Sequence, residues 1–364
     1  MRPERLSAKC CGFLLLLLPT IVFLNGSELK RDETVLFFSG LGSVESNGWQ
    51  LDIHGWVYES EYHKPITSLF RRSLGIRDDE LTAAELALFR QRAQFFLVDN
   101  ERNKTVEIRL GEMALTLSAS LPNGHFQTNL HIASQDIERF GLAGLLSQRT
   151  LPFETVPSRK GVSKRSGEIE LIPEGGISVI SDIDDTIKLS NVKNHHELLR
   201  NTFCRPYEPI AEMSSAFRQW SQGDEARFHY LSASPWQLAQ PLAAFLRENA
   251  FPNGSLHLKT FRWKDETFFD LFRSPERYKL SAIEPILRRF PKREFVLVGD
   301  SGERDPEIYA TLARMHPNQI RHIFIRNTTG EDRETERYRS VFEGLATNCW
   351  QIFRTPSELP ITLR

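Results

Sequence analysis

A chain of 364 residues with a formal net charge of -1 is long enough for two domains and carries no overall charge that would attract nucleic acid. Hydrophobic residues make up 40% of the sequence and charged residues 26%, which is typical of a soluble globular protein. We therefore predict no nucleic-acid partner, and we infer no obligate protein partner from the sequence. Any binding to an anionic membrane must come from a local surface.

The N-terminal 27 residues differ from the rest of the chain. Arg2, Arg5 and Lys9 precede an uncharged, leucine-rich run at 12–24. Thirteen helical residues span about 20 Å, whereas the hydrocarbon core of a bilayer is roughly 30 Å thick. This pattern predicts a signal peptide over residues 1–27 and an exported protein, either secreted or periplasmic. An uncleaved membrane anchor is the alternative.

Strand patterns dominate the next part of the chain. Alternating apolar residues at 34–62 and after residue 95 are separated by turn signals, which favours a β-rich domain. A helical pattern interrupts these strands at 66–95. Thr82 is its predicted N-cap, with Glu85 three residues later as in a capping box. We predict a β-rich accessory domain over residues 28–165 that carries this helical insertion.

A basic segment ends that domain. Residues 157–167 contain four basic residues and two glycines, which is typical of an exposed connector. A small basic patch for phosphate or anionic lipid is the alternative.

The pattern then changes to an alternation of strands and helices. Apolar runs at 177–180, 228–231, 295–298 and 320–325 are separated by amphipathic helical stretches. Such alternation favours a parallel sheet with helices on both faces. We predict that this α/β domain occupies residues 166–364.

Polar side chains follow three of the predicted strands. Asp182 and Asp184 come after the first, Ser232 after the second and Asp300 after the third. Active sites of open α/β sheets lie at the carboxyl ends of the strands, so we expect these side chains to meet.

Two carboxylates that lie this close repel one another unless a cation intervenes, and Mg²⁺ prefers such oxygen ligands. Asp182 is placed to attack phosphorus and form an aspartyl-phosphate, and Asp184 to act as acid and base. Ser232 is predicted to donate to a phosphoryl oxygen, and Lys279 to balance its charge. The pattern predicts a magnesium-dependent phosphohydrolase.

The segments at 177–186, 230–236 and 295–309, together with Lys279, resemble the four motifs of the haloacid dehalogenase superfamily. In particular, Ser-Asp-Ile-Asp-Asp-Thr-Ile-Lys and Tyr-Leu-Ser-Ala-Ser-Pro-Trp are similar to the actin-patch-associated phosphatidate phosphatase family. The resemblance implies a Rossmannoid parallel sheet and Mg²⁺-dependent hydrolysis of phosphatidate to diacylglycerol at a membrane surface.

The resemblance also implies roles for individual residues. Asp182 would be both nucleophile and metal ligand, and Asp184 would bind the metal through its backbone carbonyl. Asp300 would be a further metal ligand, and Asp305 would act on the metal directly or through a water.

For the substrate, the family pattern implies that Ser232 and Lys279 bind the phosphoryl group and that Thr186 holds the loop that receives it. The segments between the motifs are too short for a large cap domain. We therefore expect the β-rich domain to shield the site or select the substrate. Residues 262–264 (Arg-Trp-Lys) either contact substrate or anchor a loop.

Two other functions are compatible with the same residues. One is a phosphatase of soluble phosphomonoesters. The other is a lipid- or protein-binding module with weak or vestigial phosphatase activity.

Overall fold

The computed structural model describes residues 26–60, 64–157, 161–260 and 275–363. Nearly all of the predicted signal peptide, part of the basic connector, and residues 262–264 lie outside these ranges. Within these ranges no helix is both long and apolar enough to span a bilayer.

The first half of the chain forms a mainly antiparallel sheet, and this confirms the predicted β-rich region. Its eight strands have the order β3-β2-β1-β8-β7-β4-β5, with β6 paired to β2. The strands are β1 (Glu33–Glu45), β2 (Gly48–Glu59), β3 (Asp99–Asn100), β4 (Glu107–Leu110), β5 (Met113–Thr116), β6 (His125–Ala133), β7 (Thr150–Thr155) and β8 (Ser166–Ile172).

The helices of this half are α1 (Lys64–Ser73), α2 (Ala83–Ala93), α3 (Ser134–Arg139) and α4 (Ala143–Leu146). The predicted capping box at the start of α2 is confirmed. The amide of Glu85 donates to Thr82 Oγ1 at 3.2 Å, and the amide of Thr82 donates to Glu85 Oε2 at 2.9 Å. These two bonds satisfy amides that the helix itself leaves without acceptors.

The chain leaves the first sheet later than the sequence suggests. β8 pairs parallel to β1 and antiparallel to β7, so residues 166–172 are part of the first sheet. The sequence places the domain boundary at residue 166. The difference arises because a strand pattern does not show which sheet a strand joins.

The second half forms a parallel sheet of six strands in the order β11-β10-β9-β12-β13-β14. The strands are β9 (Gly176–Asp182), β10 (Arg227–Pro235), β11 (Gly254–Lys259), β12 (Arg293–Asp300), β13 (Ile320–Arg326) and β14 (Trp350–Phe353). The helices are α5 (His195–Phe203), α6 (Met213–Gly223), α7 (Ala239–Glu248), α8 (Pro275–Arg289), α9 (Asp305–Met315) and α10 (Glu336–Val341).

Both faces of this sheet are buried. Val179 packs in a hydrophobic cluster with residues of α5, α6 and α7, whereas its neighbour Ile180 packs in another with residues of α8 and α9. Successive strand residues point to opposite faces, so a strand covered on both sides is apolar throughout. The mixed α/β class predicted from the sequence is confirmed.

The strand order predicts where a ligand would bind on the parallel sheet. The chain runs outward from β9 to β10 and β11, then returns to add β12 on the other side of β9. Ligands of open parallel sheets bind where the strand order reverses, outside the carboxyl ends of the strands. Here that point is the end of β9, at Asp182.

The two halves share a core next to this point. The ring of Trp236, which follows β10, lies 4.4 Å from that of Phe38 on β1 and 4.5 Å from that of His54 on β2, measured between centroids. Phe38 and Trp56 belong to the same buried cluster as Phe203 of α5. The β-rich half therefore packs directly against the loop that leaves the second strand of the parallel sheet.

Candidate active site

The ends of three adjacent strands bring the predicted residues together. Asp182 ends β9 and pairs with Leu231 of β10, so Ser232 lies beside it. Asp300 ends β12 on the other side of β9. The side chains of Asp182, Ser232 and Asp300 are at most 1% exposed.

The loop after β9 is held by its own polar groups. Asp185 has a φ of 55°, in the left-handed region that Asp tolerates better than most residues. Its carboxylate accepts the amides of Ser190 and Asn191 at 2.8 Å and of Val192 at 2.7 Å. These bonds close the loop and fix Asp182 and Asp184 at its start.

Asp182 is held from two sides. Thr186 Oγ1 donates to its Oδ2 at 3.0 Å, and the ammonium group of Lys279 lies 2.7 Å from its Oδ1. Burial raises the pKa of Asp182 well above its ordinary value, although Lys279 opposes this shift. Thr186 thus contacts the predicted nucleophile itself, which is consistent with its expected role in holding the loop.

Asp184 is surrounded by donors. Ser232 Oγ donates to its Oδ2 at 2.6 Å and Ser190 Oγ to its Oδ1 at 2.7 Å, while Lys188 Nζ lies 2.8 Å from Oδ1. Burial would raise the pKa of Asp184, but Lys188 and the hydroxyl donors outweigh burial and lower it. The sequence predicts that Ser232 donates to the phosphoryl group of the substrate, whereas in this structure its hydroxyl donates to Asp184.

Lys279, from the first turns of α8, is fully buried among carboxylates. Besides Asp182 it contacts Glu303 Oε2 at 2.9 Å and also Asp305. Burial would lower the pKa of this ammonium group, but Asp182, Asp305 and Glu303 raise it well above its ordinary value. Lys279 is therefore a permanent positive charge beside the predicted nucleophile.

Asp300 has an oxygen without a partner. Its Oδ1 accepts the amide of Gly302 at 2.6 Å and the hydroxyl of Thr328 at 3.2 Å. Its Oδ2 is buried and has no hydrogen-bond donor among the described residues. Burial, followed by the charge of Asp305, raises the pKa of Asp300 to about 8. A buried oxygen of this kind is where a bound cation would fit.

The charges of the site also favour a cation. Asp182, Glu303 and Asp305 offer carboxylate oxygens that lie within 4.8 Å of one another. With Asp184 and Asp300, the described part of the chain contributes five carboxylates to the site and two buried lysines, Lys188 and Lys279, in direct contact with them. The donor set is all oxygen, which suits Mg²⁺ or a similar hard cation.

Three residues that contact the predicted site residues were missed from the sequence. Glu303 and Lys188 lie within motif segments already noted, and Ser190 lies two positions after Lys188. The available signal was a polar residue close to a motif. That signal does not distinguish a buried contact from a solvated side chain.

Comparison with known proteins identifies the class of this region. Residues 177–327 match the family model described as "Phosphatidate phosphatase APP1, catalytic domain". All seven site residues predicted from the sequence lie inside that match, at positions 182, 184, 186, 232, 279, 300 and 305. The matched segment is therefore similar to the catalytic domain of a phosphatase family.

Two curated relatives agree. Phosphatidate phosphatase APP1 of Saccharomyces cerevisiae is 38% identical over 154 residues, which cover 42% of this chain and 26% of the relative. An uncharacterized protein of Schizosaccharomyces pombe is 31% identical over 183 residues, covering 49% of this chain and 30% of the relative. The chain spans less than a third of either relative. Residues 177–327 are therefore similar to the APP1 catalytic-domain family, and the resemblance inferred from the motifs is confirmed.

Proposed function

We propose that this protein is a Mg²⁺-dependent phosphatidate phosphatase that releases diacylglycerol and phosphate through an aspartyl-phosphate on Asp182. The observation that carries the proposal is the placement of Asp182 between Lys279 at 2.7 Å and the hydroxyl of Thr186 at 3.0 Å, beside a second carboxylate at Asp184. The family match supplies the substrate class, since the matched yeast relative is named for phosphatidate.

The parallel sheet supports a haloacid dehalogenase-like Rossmannoid fold for the catalytic half, with the β-rich half as an accessory domain. Asp182, Asp300 and Asp305 would hold the metal, with the backbone carbonyl of Asp184 as a further ligand. When bound, Mg²⁺ would reduce the repulsion between Asp182 and the substrate phosphate.

The chain's own groups then perform the transfer. An oxygen of Asp182 forms a bond to phosphorus as the bond from phosphorus to the glycerol oxygen breaks. Asp184 gives its proton to that leaving oxygen, and later accepts a proton from the water that hydrolyses the aspartyl-phosphate. Lys279 balances the negative charge of the phosphoryl oxygens.

Ser232 would link the binding of substrate to the protonation of Asp184. Its hydroxyl donates to Asp184 at 2.6 Å in the absence of substrate. If it turns to a phosphoryl oxygen, Asp184 loses one donor that lowers its pKa, so the carboxyl group binds a proton more readily. Substrate binding would thereby favour the protonated form of Asp184 that the first step requires.

The N-terminal segment supports a further part of the proposal. We expect residues 1–27 to direct the chain out of the cytoplasm as a signal peptide, with a membrane anchor as the alternative. The substrate would then be a phospholipid at a membrane surface. Sequencing the N-terminus of the protein from the exported fraction tests this, because a cleaved protein would begin near residue 28.

Phosphate release from phosphatidate vesicles, with and without Mg²⁺, tests the activity. We expect turnover that requires Mg²⁺ and is lost in Asp182→Asn, a variant that keeps the shape of the side chain and so should keep the fold. Faster turnover of soluble phosphomonoesters than of vesicles would replace the lipid substrate by a soluble one. Vesicle binding without any turnover would leave only a binding module, and an active Asp182→Asn variant would contradict the mechanism.

A further inference from the structure

A cavity of about 270 Å³ lies where the two halves of the molecule meet. Strands β7 and β8 of the first sheet line one side, and the start of β10, the start of β11 and helix α7 line the other. We call it the junction cavity. It opens at the amino ends of the parallel strands, whereas the candidate active site lies at their carboxyl ends. Arg227 in the cavity and Ser232 in the active site are five residues apart on β10, or about 16 Å.

Charged side chains of both signs line the junction cavity. Arg149, Arg227 and Arg247 line it together with Glu168 and Glu170. Together these five side chains carry a formal net charge of +1. Arg149, Arg247 and Glu168 are exposed, whereas Glu170 is only 8% exposed. A ligand that enters would therefore meet two arginines and one carboxylate first and Glu170 last.

Two buried polar atoms of this cavity have no partner. Neither Glu170 Oε2 nor Arg227 Nε has a hydrogen bond to any of the residues for which a placement is described. One is an acceptor and the other a donor, yet the two side chains do not pair with each other. Buried polar groups are rarely left without partners, since they lose their hydrogen bonds to water. The pair is complementary to a ligand that both donates and accepts.

The chemistry of the arginines narrows the ligand class. A guanidinium group presents planar, paired N–H donors that match phosphate and carboxylate oxygens. A carboxylate ligand has no proton to donate to Glu170 near neutral pH. A hydrogen phosphate group has both acceptor oxygens and one protonated oxygen, and its negative charge matches the excess of arginine.

We propose that the junction cavity binds a hydrogen phosphate group. Arg227, Arg149 and Arg247 donate hydrogen bonds to its oxygens, and Glu170 accepts a hydrogen bond from its protonated oxygen. The group is inorganic phosphate, because a phosphomonoester, whose second pKa is about 6, has lost this proton at neutral pH. This site is separate from the proposed active site and does not depend on its activity.

Titration calorimetry of the full chain with inorganic phosphate tests the site. A chelator is present throughout, since without a metal the five active-site carboxylates disfavour an anion there. We expect wild type and Asp182→Asn to bind phosphate equally, and Arg227→Met and Arg247→Met to bind at least about tenfold more weakly. Arg288→Met is the matched control, because Arg288 is an exposed arginine paired with Glu284 outside the cavity. It should bind as wild type does.

Sulfate tests the part assigned to Glu170. Burial raises the pKa of Glu170 to about 7, so the titration is run about one pH unit above that value, where the carboxyl group is ionised. Sulfate carries no proton under these conditions. We expect wild type to prefer phosphate to sulfate and Glu170→Gln, whose amide both donates and accepts, to lose that preference.

Glycerol phosphate tests the need for a protonated oxygen. It carries no phosphate proton about one pH unit above the pKa of Glu170, so we expect wild type to bind it more weakly than inorganic phosphate. Equal or tighter binding of glycerol phosphate would contradict the role proposed for Glu170. The proposal is overturned if wild type does not bind phosphate, or if Arg247→Met binds it unchanged. Arg247 is exposed, so that variant decides the matter even if Arg227→Met does not fold.

Discussion

The ammonium group of Lys188 lies 2.8 Å from Oδ1 of Asp184 and 4.9 Å from the centre of the Tyr207 ring. The guanidinium group of Arg92, from α2 of the accessory half, stacks on the same ring at 3.8 Å. Arg92 also donates to the carbonyl oxygens of Thr202 and Arg205 at 2.8 Å. A continuous set of contacts through Tyr207 therefore joins the β-rich half to Asp184, the predicted acid and base.

Lys188→Met should reduce turnover and stability together. Removing one partner of a buried ion pair leaves the other charge uncompensated, which costs about 3–5 kcal/mol. The pKa of Asp184 should also rise, because Lys188 is the largest of the influences that lower it, and Asp184 would then be a weaker base for the water that hydrolyses the aspartyl-phosphate. Phosphate release as a function of pH and urea unfolding measure the two effects.

The double variant Lys188→Met/Asp184→Asn is the control for Lys188. It removes both charges, so stability should recover toward that of wild type, while activity should be lost because Asp184 is the proposed acid and base. Wild-type stability in Lys188→Met alone would contradict the importance of this ion pair.

Phe38→Ala should lower activity as well as stability. Phe38 is buried against Trp236, which follows Ser232 by four residues, and core Phe to Ala changes cost about 3–5 kcal/mol. Phe37→Ala is the matched control, since Phe37 packs on Phe153 within the first sheet. Activity per folded molecule should fall only in Phe38→Ala. An equal fall in both variants would show that the contact with Trp236 has no special effect.

Because of the same contact, point variants test the role of the β-rich half better than a deletion does. Phe38 and Trp56 share one buried cluster with residues of the catalytic half, so deleting residues 28–165 would expose that core. Point variants at the contact therefore separate substrate selection from folding better than a deletion does.

Mg²⁺ should stabilise the folded protein, and Asp300→Asn should abolish most of that effect. A ligand at 100 times its Kd adds about 2.7 kcal/mol if it binds only the folded state. Asn keeps the acceptor for the Gly302 amide but removes the negative charge beside the unpartnered Oδ2. Melting curves with and without Mg²⁺ measure the difference, with exposed Asp332→Asn as control. An unchanged Mg²⁺ effect in Asp300→Asn would exclude Asp300 as a ligand.

His125→Gln should make stability less sensitive to acid. Burial lowers the pKa of His125 from 6.5 to about 4, so below pH 6.5 the unfolded chain binds this proton before the folded protein does. Its contribution to stability is present above that pH and is lost as pH falls toward 4. Melting temperatures across this range should fall less steeply in the variant. His131→Gln, on the exposed side of the same strand, should keep the wild-type slope, and an equal change in both would contradict the prediction.

Much of the catalytic region could be predicted from the sequence. The buried strands are apolar runs, and the residues that follow them are polar, so Asp182, Ser232 and Asp300 were identifiable from local pattern alone. The capping box at Thr82 and Glu85 was equally local. Each of these depends on neighbours within a few positions, and such neighbours are visible in a single sequence.

Only the tertiary structure decided which groups touch. It paired Lys188 with Asp184, added Glu303 to the carboxylates around Lys279, and directed Ser232 to Asp184 in the absence of substrate. These contacts set the pKa of each carboxyl group, because burial and charge depend on residues far apart in the chain.

Tertiary structure likewise assigned β8 to the first sheet and brought Glu170 of that strand opposite Arg227 of β10. The chemistry proposed for Asp182 follows from the sequence alone, since the residue types and spacing of its motif suffice to predict it. Its charge, its partners and the cavity at the opposite end of the sheet were determined by packing between segments that no local pattern connects.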